Sequence, residues 1–161
     1  MYEDATETDI ERIVSQYSPS LLRLAMTRLP SVADAEDAVQ EVFLRLVSKR
    51  PRFRDEGHER AWLIRATLQR TSDICRAAER QCLPLEAGGE DIPATEQAPS
   101  ELLSAIQSLP EKYSAVIHLY YYEGYSIKEI AKLLGLPAPT VGTRLARGRE
   151  RLKVMLKEGL E

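Results

Sequence analysis

Ser126-Ile-Lys-Glu-Ile-Ala-Lys-Leu-Leu-Gly-Leu-Pro-Ala-Pro-Thr-Val-Gly-Thr-Arg-Leu-Ala-Arg-Gly-Arg-Glu-Arg-Leu152 decides how this chain is read. Ser126 and Glu129 have capping-box spacing, so a helix is expected to start there. Ile127, Ile130, Ala131 and Leu134 give it one apolar stripe at helical period. Gly135 ends it, because glycine enters the left-handed region without a Cβ penalty. Leu136 is a core candidate in the turn, and Pro137 and Pro139 suit the first turn of a second helix, where a missing N–H costs nothing. That helix carries Thr140, Thr143, Arg144, Arg147, Arg149 and Arg151 against a buried side of Val141, Leu145 and Leu152. The pattern is that of a helix-turn-helix whose second helix enters the DNA major groove. A helical hairpin with a solvated basic face is the plainer alternative. Capping box, turn glycine and basic second helix, together and in order, favour DNA.

The rest of the chain qualifies that reading. Its 161 residues are 43% hydrophobic and 29% charged, which suits a soluble globular protein of one domain or two small ones. No run of about eighteen apolar residues is present, so no membrane insertion is expected. The amino terminus is acidic and has no apolar core, unlike a secretory signal. Two cysteines, Cys75 and Cys82, are too few for a disulfide framework and fit free thiols in a reducing cytoplasm, although one bridge is possible. Net charge is −3, whereas a protein that binds DNA alone is usually basic. Every charge from Glu3 to Glu11 and from Glu86 to Glu101 is negative, while Arg144 to Lys157 is mostly positive. Basic surfaces separated by acidic segments imply DNA affinity that needs help from another component.

Taken in order, Ile10, Ile13, Val14 and Tyr17 have helical spacing; Pro19 is expected to interrupt, with Ser18 capping a fresh start. Leu21, Leu22, Leu24, Ala25 and Leu29 continue the pattern until Leu29-Pro30-Ser31 breaks it. The next helix has an apolar face of Ala35, Ala38, Val39, Val42, Phe43 and Leu46. Asp34, Glu36, Asp37, Gln40 and Glu41 lie opposite near its start, with Arg45, Lys49 and Arg50 near its end. Acid first and base last suits the helix dipole. The dipole explains the sign but not the density of acid, and such a patch could also dock a basic partner. Pro51 stops the helix, and residues 52–59 read as a polar loop with one aromatic, Phe53. A long helix follows from about Arg60 to Arg80, with Trp62 and bases at Arg60, Arg65, Arg70 and Arg76. Trp62 is either core or, with those bases, a surface for unpaired bases. Residues 81–99 read as a flexible acidic linker. Ser100 then caps a short helix, Leu109-Pro110 opens another, and Gly124 ends it. Along that helix Tyr113, Val116, Ile117, Tyr120 and Tyr121 have helical spacing, which makes Tyr120-Tyr-Tyr122 a half-buried packing face rather than a base-stacking platform. The fold class is all α: a helical domain over 1–80, the linker over 81–99 and a smaller helix-turn-helix domain over 100–161.

Asp34-Ala-Glu-Asp-Ala-Val-Gln-Glu-Val-Phe-Leu-Arg-Leu46, then Arg52-Phe-Arg with Ala61-Trp-Leu, then Leu109-Pro-Glu-Lys-Tyr113 and the helix-turn-helix resemble the sigma-70-type sigma factors. A linker in place of a middle domain resembles the extracytoplasmic-function (ECF) group. The resemblance runs from about Ile10 to Lys157. It implies a subunit that binds bacterial core RNA polymerase and directs it to promoter DNA, with no cofactor. Asp37, Gln40 and Glu41 would dock on the clamp helices of the largest polymerase subunit. Phe53, Arg54, Arg60, Trp62, Arg65 and Gln69 would read and hold the melted −10 element, with Phe53 near a flipped base and Arg54, Arg60 and Arg65 near the backbone. Thr140, Thr143, Arg144, Arg147 and Arg149 would bind the −35 duplex. There Thr140 and Arg144 would be mainly backbone contacts, and Thr143 and Arg147 would reach base edges. The smaller domain would also meet the flap of the second subunit, and an anti-sigma factor is expected from the family.

Geometry permits the linker. About 17 base pairs at roughly 3.4 Å each separate the two elements by about 58 Å. A linker of about 20 residues reaches about 65–70 Å when extended. Its acid resembles the family's habit of threading this segment through the basic RNA-exit path; a solvated tether explains it equally. Several positions depart from the family pattern. Gln69 stands where asparagine is frequent, and Thr67 and Thr71 are more polar than usual. Gly142 and Gly148 interrupt the recognition helix, each costing about 1 kcal/mol relative to alanine. Two further readings compete. A stand-alone helix-turn-helix regulator accounts for residues 126–152 but not for the acidic helix. An enzyme using Asp37 and Glu41 as paired carboxylates has no His or Cys to join them, since His58 and His118 are isolated. No Gly-rich phosphate loop is present.

Overall fold

The computed structural model describes residues 7–80 and 101–159. The proposed linker over 81–99, Cys82, the Ser100 cap and the first six residues of the acidic start lie outside them. Seven helices and no strand occur among the described residues. The chain divides into two compact units, Met1–Leu85 and Glu86–Glu161.

The first unit packs three helices on one another, α1 (Glu7–Met26), α2 (Val32–Lys49) and α3 (Glu56–Arg80). α1 buries Ile13, Tyr17, Leu21, Leu24 and Ala25, one stripe at helical spacing. The expected break at Pro19 does not occur: the helix is continuous. Proline removes one donor and crowds the preceding turn. Here both Pro19 and Ser15 face solvent, and burial of Tyr17 and Leu21 on either side holds the helix together. Ser31 caps α2 by accepting from the Asp34 N–H at 3.1 Å. Arg50 closes it in the left-handed conformation, φ 44°. The buried face of α2 is the expected one, except that Phe43 is only half-buried.

α3 starts at Glu56, four residues earlier than the sequence suggested. Asp55 supplies the missing start signal, its Oδ1 accepting from the His58 N–H at 2.8 Å. Half of the expected polar loop is therefore first-turn helix. The two unusual threonines are buried, and each hydroxyl is satisfied locally. Thr67 Oγ1 donates to Leu63 O, and Thr71 Oγ1 to Thr67 O, both at 2.9 Å. A buried hydroxyl with such a partner escapes the cost of an unmade hydrogen bond.

An ion pair with one buried partner ties α3 to α1. Glu59 is 0% exposed, and Arg12 reaches it with both terminal nitrogens, at 3.2 and 2.9 Å. Burial of the Tyr17 hydroxyl, then the Glu59 charge, push its pKa far above the ordinary tyrosine value.

The second unit holds α4 (Glu101–Ser108), α5 (Glu111–Tyr121), α6 (Ile127–Leu134) and α7 (Ala138–Gly159). The capping box is complete: Glu129 N–H donates to Ser126 Oγ at 3.1 Å and Ser126 N–H to Glu129 Oε1 at 2.9 Å. Gly135 sits at φ 70° and ends α6. The buried stripe of α6 is Ile130, Ala131 and Leu133, with Ile127, Leu134 and Leu136 half-buried. Pro137 accepts the first helical bonds of α7, from Thr140 and Val141. Val141, Leu145 and Leu152 pack inward as expected.

On α5 the tyrosine expectation needs correction. Tyr113, Val116 and Ile117 are core, but Leu119 and His118 complete it, and Tyr120, Tyr121 and Tyr122 lie outside it. These tyrosines meet one another and the surface instead: Tyr120 packs edge-on to Tyr121 at 4.9 Å, and Tyr122 stacks on His118 at 5.2 Å. His118 is not isolated. It is fully buried, with Nε2 3.2 Å from the nearly buried carboxylate of Glu123.

Candidate functional site

On α2, Asp37, Gln40 and Glu41 are exposed, and their spacing of three and four places them on one helix face. The face continues into apolar side chains. Leu44, three residues past Glu41, is 67% exposed, and Val47 is 40% exposed. The acidic patch thus runs directly into exposed leucine and valine. Sequence reading missed Leu44 and Val47. Their signal was an apolar band, Val42-Phe-Leu44, wider than one core face needs. Glu41 is engaged within the protein by an ion pair with Arg70 of α3. With Val42, Arg45, Ala66 and Asp73 these two line a groove between the helices.

On α3, Trp62, Arg65, Gln69 and Arg76 recur at intervals that keep them on one side of the helix. Trp62 is half-buried, Arg65 and Gln69 are exposed, and Arg76 extends the face toward the helix end. Arg60 lies away from this face, two residues before Trp62, and is half-buried. Phe53, expected beside a flipped base, points inward at 5% exposure. Its ring meets His58 edge-on at 5.5 Å and Trp62 at 6.1 Å. His58 Nδ1 accepts from the Arg54 N–H at 3.1 Å, so a short cluster fixes the chain ahead of the α3 face. Here the aromatic open to solvent is Trp62, and Arg54 is exposed at the edge of the cluster.

On α7, Thr143 and Arg147 are exposed and Thr140 and Arg144 half-buried, all on the side away from the buried Val141 and Leu145. Arg151 extends this face by one turn. Arg149 does not belong to it. Two residues beyond Arg147, it projects from the other flank, where its Nη1 donates to the Tyr121 hydroxyl at 3.1 Å. The charge of Arg147 acts on the hydroxyl of Tyr113, a residue whose ring is buried. Burial acts to raise that hydroxyl's pKa. The charges of Lys112, Arg147 and Arg151 together hold it below the ordinary tyrosine value.

No cluster of three or more His, Cys, Asp or Glu suited to a metal ion occurs among the described residues. None of the described helices is long and apolar enough to cross a membrane.

The family Sigma-70 region 2 matches residues 13–81, and Sigma-70, region 4 matches residues 100–152. The chain is 31% identical over 164 residues to the ECF RNA polymerase sigma factor SigW of Bacillus subtilis, covering 91% of this chain and 88% of that protein. It is 30% identical to the ECF RNA polymerase sigma-E factor of Haemophilus influenzae, covering 88% and 84%. Among solved structures, the sigma factor RpoE in complex with the anti-sigma factor NepR from Bartonella quintana superposes with a TM-score of 0.75 at 21% identity, covering 93% of this chain and 98% of that one. CnrH in complex with the cytosolic domain of CnrY superposes with a TM-score of 0.66 at 23% identity, covering 96% and 91%. An acidic helix face, an aromatic-basic helix and a helix-turn-helix thus occur in one chain with both sigma-70 regions, and the chain belongs to the ECF group of sigma-70-type factors, which direct RNA polymerase to initiate at promoters.

Proposed function

We propose that this sigma factor divides its work between a polymerase-docking and −10-reading domain over 1–80 and a −35-reading domain over 100–161, joined by a tether over 81–99. The single observation that carries the proposal is the α2 face, where Asp37, Gln40 and Glu41 run into exposed Leu44 and Val47. A stand-alone DNA-binding regulator has no use for such a face. A basic, partly apolar helical partner does, and the clamp helices of the largest polymerase subunit are that partner.

Trp62, Arg65 and Gln69 then take the melted −10 strand, the ring for stacking and the polar groups for backbone and base edge. Phe53 and His58 act by positioning Trp62. Arg54 meets the strand at the edge of this cluster, and Arg60 supports it from the side. In the second domain Thr143 and Arg147 face base edges of the −35 duplex, with Thr140 and Arg144 on its backbone. Arg149 and Tyr121 lie on the flank, and that side meets the polymerase flap. Both solved neighbours are complexes, one with an anti-sigma factor and one with a cytosolic domain. They support an anti-sigma partner here as well, in the cytoplasm.

The test is transcription from a promoter library by purified core polymerase with and without this protein. Gain of a promoter set, together with co-elution with core, is expected. No gained promoter and no co-elution would overturn the reading.

A further inference from the structure

Three cations converge on one tyrosine at the junction of α5 and α7. Lys112 Nζ stands 5.1 Å from the centre of the Tyr113 ring, and the Arg151 guanidinium carbon stands 5.0 Å from it. The two charges are therefore no more than about 10 Å apart. The charge of Arg147 acts on the same tyrosine, at its hydroxyl end. The ring itself is buried, at 4% exposure, while Lys112, Arg147 and Arg151 are exposed. Among the described residues no carboxylate pairs with any of the three.

A cation over an aromatic face is attractive, and one would need no further explanation. Three around a single ring repel one another, and in a chain of net charge −3 carboxylates are plentiful. Cations with no carboxylate partner among the described residues, set on a rigid, buried platform, suit an external anion. Arg147 and Arg151 are one helical turn apart and share the face of Thr143. The anion site is therefore continuous with the base-reading face, at its carboxyl-terminal edge. There, a helix lying in the major groove passes the strand that borders the groove.

We propose that Lys112, Tyr113 and Arg151, beside the base-reading Arg147, form a binding site for a backbone phosphate of duplex DNA at the border of the −35 element. The site rests on the reading of the second domain as the duplex reader. It gives α5, as well as α7, a direct DNA contact.

The test uses holoenzyme and promoter fragments in which single phosphates near the −35 element are replaced by neutral methylphosphonates. With the wild-type protein, one or two neighbouring replacements should weaken binding several-fold. With Lys112→Gln plus Arg151→Gln, unmodified DNA should bind about tenfold more weakly. The same replacements should then make no further difference, and the log–log salt slope should fall by about 1 for each phosphate that the variant no longer neutralises. A replacement profile and salt slope unchanged from wild type would overturn the site. Lys112→Gln alone, on an exposed side chain, gives a smaller loss at the same phosphates and guards against a folding defect in the double variant. Wild-type holoenzyme indifferent to scrambling the −35 box would overturn the duplex-reader reading itself, and this site with it.

Discussion

Gly148 of α7 lies so close to Ile117 of α5 that a Cβ at position 148 would stand 3.1 Å from Ile117 Cγ1 and 3.2 Å from its Cδ1. The Tyr113 Cβ would be at 3.4 Å. Glycine here sets how closely the recognition helix approaches the helix beneath it, and that spacing places Arg147 and Arg151 at Tyr113.

The two glycines of α7 should therefore answer oppositely to alanine. Around Gly142 a Cβ would meet nothing within 4 Å, so Gly142→Ala should gain about 0.5–1 kcal/mol from helix propensity alone. At Gly148 the same gain opposes overpacking against a buried, β-branched isoleucine, which costs about 1–3 kcal/mol. Gly148→Ala should lower stability by about 1 kcal/mol. Urea unfolding of the pair decides it; equal gains at both positions would show that α5 yields freely.

The Arg12–Glu59 pair predicts a purely structural phenotype. Glu59→Ala leaves the Arg12 guanidinium without its partner and removes the carboxylate that acts on Tyr17. Losing a buried partner costs about 3–5 kcal/mol when the remaining charge stays buried. Arg12 is 38% exposed and can turn to water, so about 2 kcal/mol is expected. Glu59→Gln, which keeps one acceptor, should lose less. Matching losses in the two variants, measured by denaturant titration, would remove the ion pair from the account of the first unit.

What the sequence could and could not disclose divides by range. Ser126 and Glu129 satisfy each other within one turn, so their box was readable from spacing. Val141, Leu145 and Leu152 were readable because one face of a long helix repeats. Glu59 looked like one more acid in a polar run, since its partner Arg12 is 47 residues away. Phe53 looked exposed for a related reason: nothing in the spacing shows that His58 and Trp62 fold over it. Pro19 misled because its local cost is real, while the tertiary burial of Tyr17 and Leu21 that outweighs it is not local. Tyr120 and Tyr121 fit the helical period yet fall outside the core, because the inward side of α5 is taken by His118 and Leu119.

Core binding should depend on the α2 face as a unit. Asp37→Ala plus Glu41→Ala removes two exposed charges and should weaken affinity for core polymerase at least tenfold, about 1.4 kcal/mol. The Glu41–Arg70 pair is half-exposed on both sides, so its loss should change stability by less than about 1 kcal/mol. Leu44→Ser should weaken core binding without lowering the melting temperature, because Leu44 leaves little behind in the fold. A titration showing wild-type core affinity for both variants would dismiss this face as the docking surface.

Arg147 and Arg149 are two residues apart and should behave differently. Arg147 shares the face of Thr143, and loss of a base-edge contact costs about 1–3 kcal/mol. Arg147→Ala should therefore reduce transcription from a −35-dependent promoter by tenfold or more. The loss should shrink on a template whose −35 box is scrambled. Arg149 is held at the opposite flank by Tyr121, so Arg149→Ala should leave the −35 dependence in place. A surface hydrogen bond to an exposed tyrosine is worth about 1 kcal/mol or less, so its removal should barely shift the melting temperature. If Arg149→Ala abolishes −35 dependence as fully as Arg147→Ala, the guanidinium must leave Tyr121 and swing around the helix on DNA. The flank assigned to the polymerase flap would then belong to the promoter instead.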